Sequence, residues 1–117
     1  MLGSGEQKER IIQEFVPGKQ ITLAHVIPNP VPDLYPKMGL VNGTGAIGIF
    51  TITPSEGAII AADVASKAAG VQIGFVDRFN GSLIITGEVG DVEAAMKGVI
   101  KILCDGMGFA KPEITRS

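Results

Sequence analysis

From residue 46 onward the chain reads as strand, helix, strand, strand, helix, and few folds accept that order in so short a span. Ala46 to Thr53 is an apolar, β-branched run of strand length. Pro54 follows. With Thr53 as cap and Glu56 in the first turn, it predicts a helix running to about Ala69 and ending at Gly70. Ala58, Ala61, Ala62, Ala65, Ala68 and Ala69 favour helix there and let neighbouring backbones approach. Val71 to Asp77 and Leu83 to Glu88 are two further strands. The segment between them, Arg78-Phe79-Asn80-Gly81-Ser82, carries the Asn-Gly signal of a hairpin. Gly90-Asp91 opens a last helix, with Asp91 as its cap. Val92, Ala95, Met96, Val99, Ile102 and Leu103 recur at helical spacing until Gly106 to Gly108 stops them. The tail predicts one more short strand around Glu113–Thr115.

This order implies an α+β fold, most of a ferredoxin-like layout with one helical layer on an antiparallel sheet, and it is one strand short. Residues 19–27 are the strongest unassigned strand and the expected donor. Pro28, Pro30 and Pro32 close that strand, because proline cannot donate to a sheet ladder. Asp33 to Gly39 reads as a short helix, with Asp33 at its N-cap, Gly39 just past its end and Pro36 limiting its length. Gly43 to Gly45 is a loop. Upstream, Ile11, Gln13 and Phe15 alternate with Ile12, Glu14 and Val16 until Pro17-Gly18 breaks the run. A strand this short needs a partner to pair with. The expected organisation is a flexible N-terminus over 1–9, a strand and turn over 10–18, and one domain over 19–117.

Charge is scarce. Of 117 residues, 45% are apolar and 19% charged, and mean hydropathy is +0.33. Charged side chains normally fill a monomer's surface, so this deficit predicts apolar surface buried between subunits. Net charge is −2 with no basic run, which argues against nucleic acid as a partner. No apolar run is long enough to span a membrane, and Met1 to Arg10 lacks the apolar core of a signal peptide. A reducing, intracellular setting is the expectation. Cys104 is the single cysteine and His25 the single histidine, so no intrachain disulfide or multi-cysteine zinc site is available.

No catalytic, cofactor or metal site emerges. Nucleophilic catalysis needs a nucleophile, a base and an orienting group. Cys104 sits in the last helix and His25 in a strand between Ala24 and Val26, and both read as packing residues. Gly43-Thr44-Gly45 precedes a strand rather than a helix, so it is not a phosphate loop. Glu88, Asp91 and Glu93 suit a helix start better than a metal. Asp77-Arg78-Phe79 is a polar-aromatic cluster on a hairpin. Two readings of different class follow from the residues alone: an assembly protein, or a small ligand-binding regulatory domain.

Three stretches resemble the shell-protein (BMC) domain of bacterial microcompartments: Gly45 to Gly48, Glu56 to Lys67, and Gly87 to Ala95. In the ordinary order of that family a segment like His25-Val26-Ile27-Pro28-Asn29-Pro30 follows the second helix. Here it precedes everything else, as in the circularly permuted branch. Arg10 to Ile27, Ile73 to Phe79 and Ile114 to Ser117 resemble the shell proteins of ethanolamine- and propanediol-utilising compartments. Arg10-Ile11-Ile12 and Phe15 lean to the ethanolamine type, and Thr53 to Glu56 to the other; the ethanolamine type is the expectation and the propanediol type the alternative.

The resemblance implies a structural protein without cofactor. It would form a cyclic homohexamer, a tile that meets other shell proteins edge to edge around encapsulated enzymes in the cytoplasm. The shell limits loss of an aldehyde intermediate. Lys67, Pro28, Asn29 and Pro30 would lie at the tile edge, with Asn29 where the family usually has arginine. Asp77, Arg78, Phe79, Asn80 and Gly81 occupy the position of the pore loop and differ from its usual Lys-Ile-Gly-rich sequence. Six N-terminal strands would form a parallel barrel capping the pore. Ile11, Gln13 and Phe15 are expected inside it, and Ile12, Glu14 and Val16 outside.

Overall fold

A computed structural model describes residues 18–39 and 45–117. The expected flexible N-terminus over 1–9, the expected strand over residues 10–16 and the loop residues 43–44 lie outside the described residues. The elements are β1 (Gln20–Ile27), α1 (Leu34–Lys37), β2 (Ala46–Thr53), α2 (Gly57–Ser66), β3 (Val71–Asp77), β4 (Ser82–Gly87), α3 (Val89–Ile100) and β5 (Ile114–Arg116). α3 continues into a π-helical stretch over Lys101–Gly106.

The strands form one sheet in the order β3-β4-β2-β1-β5. β1 fills the vacant place, antiparallel to β2, with Gln20 opposite Thr53 and Ile27 opposite Ile47. β5 lies parallel to β1, pairing Ala24 with Ile114 and Val26 with Arg116. The sheet is therefore mixed, not purely antiparallel as expected. The tail returns from the end of the last helix on the same side as the start of β1. Ala110 N–H donates to Lys19 O and Ile21 N–H to Ala110 O, so the tail enters the sheet running with β1.

One sheet face carries the core. Ile21, Ala24 and Val26 of β1, Phe50 and Ile52 of β2, and Leu83 and Ile85 of β4 pack under Ala61, Ala65, Val92, Met96 and Val99. Each fully buried Ile, Leu, Val or Phe contributes roughly 1.5–3 kcal/mol. The fit leaves no room at Gly48, where an added Cβ would meet Met96 Sδ and Val92 Cγ1 at 2.9 Å. On the other face Ile47 and Ile84 are buried under Leu34, Tyr35 and Met38 of the α1 region.

Three helix boundaries differ from the sequence expectation. Thr53 is the last residue of β2 rather than a cap. Pro54 and Ser55 form the turn that leads into α2, their carbonyls accepting from Gly57 and Ala58 N–H at 2.9 and 3.0 Å. α2 ends at Ser66, because Lys67 and Ala68 bond back only three residues, to Val64 and Ala65. That tightening ends the helix, and Gly70 at φ +83° then reverses the chain. α3 begins at Val89, not at Gly90-Asp91. Extended Glu88 accepts the first helical bond, from Val92 N–H at 2.9 Å, which makes Glu88 the cap position and leaves Asp91 in the first turn.

Candidate functional site

The sheet has two ends, and the sequence-predicted site residues divide between them. At one end lie the start of β1, the end of β2, the start of β4 and the end of β3, as the pairs Gln20–Thr53, Thr51–Ser82 and Asp77–Ser82 fix. The 77–81 turn closes this end. At the other end β1 runs into Pro28-Asn29-Pro30, and β3 starts at Val71 just after α2 finishes at Ser66. An eight-residue strand separates the two, about 26 Å at 3.3 Å per residue.

The turn is a four-residue loop. Gly81 N–H donates to Asp77 O at 2.8 Å, and Gly81 O accepts from Ile52 N–H at 2.8 Å. Gly81 is at φ +74°, and a Cβ there would strike the Ile52 carbonyl and lie 3.1 Å from Ser55 Cα. Only glycine fits. The Asp77 carboxylate is fully engaged. One oxygen accepts from Phe79 N–H at 2.8 Å and Asn80 N–H at 3.2 Å, and the other from the Asn80 amide at 2.8 Å. Those donors hold the carboxyl below its ordinary value, the Phe79 N–H contributing most. The Arg78 guanidinium stacks 4.7 Å from the centroid of Phe79, whose ring is 78% exposed. Asp77, Asn80 and Gly81 thus build the turn, and Arg78 and Phe79 are what it displays.

Beside the turn, Ile59, Phe75 and Val76 join residues 77–79 in lining an open groove of about 560 Å³. All three are exposed large hydrophobics. Sequence reading missed this groove. Its signal was the apolar pair Phe75-Val76 on β3, which is an edge strand of the sheet.

At the opposite end Lys67 caps α2 and pairs with Asp63 one turn earlier, Nζ to Oδ2 2.9 Å, both side chains exposed. An exposed i,i+4 pair of this kind contributes at most a few tenths of a kcal/mol, roughly 0.3–0.5. Asp63 was not singled out from sequence, although its spacing from Lys67 was the available signal. Asn29 is exposed between half-buried Pro28 and Pro30. An open cleft of about 720 Å³ lies at this end, lined by Gly45, Gly70, Val71, Gln72, Thr86, Gly87 and Glu88.

His25 lies in β1 and Cys104 in the π-helical stretch after α3. Both His25 ring nitrogens bond to hydroxyls, of Thr115 and Ser117. Cys104 is half-buried in the π-helical stretch. Burial raises its thiol pKa, an effect that nearby Lys111 opposes and Asp105 reinforces. Among the described residues no group of three His, Cys, Asp or Glu is placed to hold a metal, and no helix is long and apolar enough to cross a membrane.

The family profile described as the BMC domain matches residues 46–114, from the first residue of β2 into β5. The chain belongs to the BMC-domain family of shell proteins. This is a family of structural proteins rather than enzymes. The chain is 56% identical to the bacterial microcompartment shell protein EutS of Salmonella typhimurium, over 94% of this chain and 98% of that protein. It is 54% identical to the shell protein PduU of the same organism, over 93% of this chain and 94% of that one. Among solved structures, a CutR flat hexamer superposes with a TM-score of 0.82 at 46% identity, covering 94% of this chain and all of the other. BMC membership accounts for the sheet-and-helix layout. β1, which precedes the matched region, completes the sheet between β2 and β5.

Proposed function

We propose that this BMC protein is a homohexameric tile of a cytoplasmic microcompartment shell. The 77–81 turn faces the sixfold axis, and Lys67 with Pro28-Asn29-Pro30 faces the neighbouring tiles. The observation that carries this reading is the placement of those two groups at opposite ends of one sheet. A wedge of a ring has one end for the axis and one for the rim. Exposed Ile59, Phe75, Val76 and Phe79 in the single chain further support burial between subunits.

The chain is a permuted member of its family. The position of β1 supports this, since a strand ahead of the family domain in sequence lies inside the domain's sheet. Residues 11–16 form a six-stranded parallel barrel over the axis and cap the pore. Gly18 and Lys19 lead into β1 at the sheet end that carries the 77–81 turn, so the preceding segment starts from the axial side. Closing six edges into a barrel leaves none exposed. The tile meets other shell proteins, encloses enzymes of ethanolamine breakdown and limits loss of their aldehyde intermediate. The 56% identity to EutS is consistent with that pathway, and the same role in a propanediol-utilising compartment is the alternative, with PduU at 54%.

Electron microscopy of the purified chain tests the tile directly. Sixfold particles with density over the axis are expected, and removal of residues 1–16 is expected to keep the particles and open their centre. Particles that lack sixfold symmetry would refute the reading.

A further inference from the structure

We propose that Asn80 is a modification site, a slow deamidation through Gly81, and that Asp77 sets its rate by holding both reacting groups.

The fold itself puts the reactive pair there. Gly81 sits at φ +74°, and a Cβ would strike the Ile52 carbonyl, so the turn requires glycine after Asn80. Glycine has no side chain to bar the approach of its backbone nitrogen to the exposed Asn80 side chain. Of the chain's three asparagines, Asn29 precedes Pro30, which has no N–H to attack with, and Asn42-Gly43 lies outside the described residues.

The step balances with water alone. The Gly81 nitrogen loses its proton and attacks Asn80 Cγ. The new N–Cγ bond forms as Cγ–Nδ2 breaks, and the amide nitrogen leaves as ammonia with that proton. Water then opens the five-membered imide at one of its two carbonyls. The product is aspartate at 80, or its isomer with the main chain routed through the side-chain carbonyl.

Asp77 binds each group that this step must free. Its backbone carbonyl accepts from Gly81 N–H at 2.8 Å and so holds the proton that the nucleophile must lose. Its Oδ2 accepts from the Asn80 amide at 2.8 Å and so holds the leaving group. Its Oδ1 accepts from Phe79 and Asn80 N–H at 2.8 and 3.2 Å, which fixes the backbone between them. An ionised carboxylate only accepts, so it has no proton to hand to the departing nitrogen.

Completion changes the turn. Aspartate at 80 puts a second carboxylate where an N–H donor now lies 2.8 Å from Asp77 Oδ2, and like charges at that range repel. The isomer adds a main-chain carbon inside a loop closed by Gly81 N–H on Asp77 O and by the pairing of Asp77 with Ser82. Ile52 N–H donates to Gly81 O at 2.8 Å, which carries the change into β2. The site is a one-way timer: the turn is closed while residue 80 is an amide and loosened once it is an acid.

The full-length protein, held in mildly alkaline buffer and then digested with trypsin, tests the site. The peptide over 79–97, which holds Asn80 as its one asparagine, is followed by mass for the replacement of NH2 by OH. Four samples are compared: wild type, wild type unfolded in guanidinium chloride, Asp77→Ser and Phe79→Ala. Serine keeps an oxygen for the backbone N–H groups and has none for the Asn80 amide. Phe79→Ala alters neither reacting group. Slow conversion is expected in the native wild type and in Phe79→Ala, and conversion about tenfold faster in the unfolded chain and in Asp77→Ser. Asn80→Asp, standing for the product, is expected to speed hydrogen exchange over residues 77–82. Native and unfolded wild type converting at one rate, or Asp77→Ser as slow as native wild type, would overturn the role of Asp77. So would equal acceleration in Phe79→Ala, which would assign the rate to general loosening. No conversion in the unfolded chain would overturn the site, and unchanged exchange in Asn80→Asp would overturn the timer.

Discussion

His25 Nδ1 lies 2.6 Å from the hydroxyl of Thr115, which is 90 residues further along the chain. The Thr115 hydroxyl also donates to Ala24 O, so His25 donates to it from Nδ1, while Nε2 bonds to the Ser117 hydroxyl 2.9 Å away. Ser117 N–H reaches Val26 O at 3.1 Å, and Arg116 pairs with Glu93 on α3. The one histidine is thus a clasp that ties the last strand to the first described one.

Replacing His25 by Ala removes both side-chain bonds from a half-buried site. A loss of about 1–3 kcal/mol is expected, at about 0.5–1.5 kcal/mol net per bond. A lowered urea midpoint at fixed protein concentration, with assembly retained, is the predicted result. Cys104→Ser is expected to leave both unchanged.

Gly81→Ala meets a positive φ and the Ile52 carbonyl at once. The expected cost is about 2 kcal/mol or more, since backbone strain and the collision add. Thermal unfolding of the purified variant gives the measurement. An unchanged melting temperature would mean that the turn relaxes without penalty.

Asp77 sets a pH dependence. Its folded pKa is depressed below the ordinary 3.8 by the N–H groups of Phe79 and Asn80 and the Asn80 amide. The stabilisation is fully present above the unfolded value and is lost as pH falls through the folded one. Above about pH 5 the turn is constant, and below pH 4 it loosens. Asp77→Asn is expected to remove this acid-side dependence, followed by exchange rates of the Phe79 and Asn80 amides.

At the far end, Lys67→Asp places a second carboxylate one turn from Asp63. Sheets or tubes in electron micrographs are expected to disappear while single tiles persist. The long lysine stem is lost from the contact along with the charge. Sheets identical to the wild type would return Lys67 to a solvated helix end.

Much of this fold was written in local periodicity. Ala46–Thr53 and Val71–Asp77 match their predicted spans, and the need for a fourth strand pointed to residues 19–27 before any pairing was known. What failed was decided by hydrogen bonds that no local pattern carries. Glu88 rather than Asp91 caps α3 because its carbonyl meets Val92 N–H. The π-helical stretch over Lys101–Gly106 keeps the apolar spacing of an ordinary helix. Parallel pairing of β5 depends on contacts such as His25–Thr115, 90 residues apart. The turn at 77–81 was visible through Asn80-Gly81, but the groove beside it depends on which side of an edge strand stays uncovered. That is a property of the assembled sheet.

Native mass in solution tests the central claim most directly. Light scattering of the full-length chain at micromolar concentration is expected to give six times the 12.2 kDa subunit mass. A mass near one subunit, or a dimer or trimer whose melting temperature rises with a small ligand, would contradict the tile.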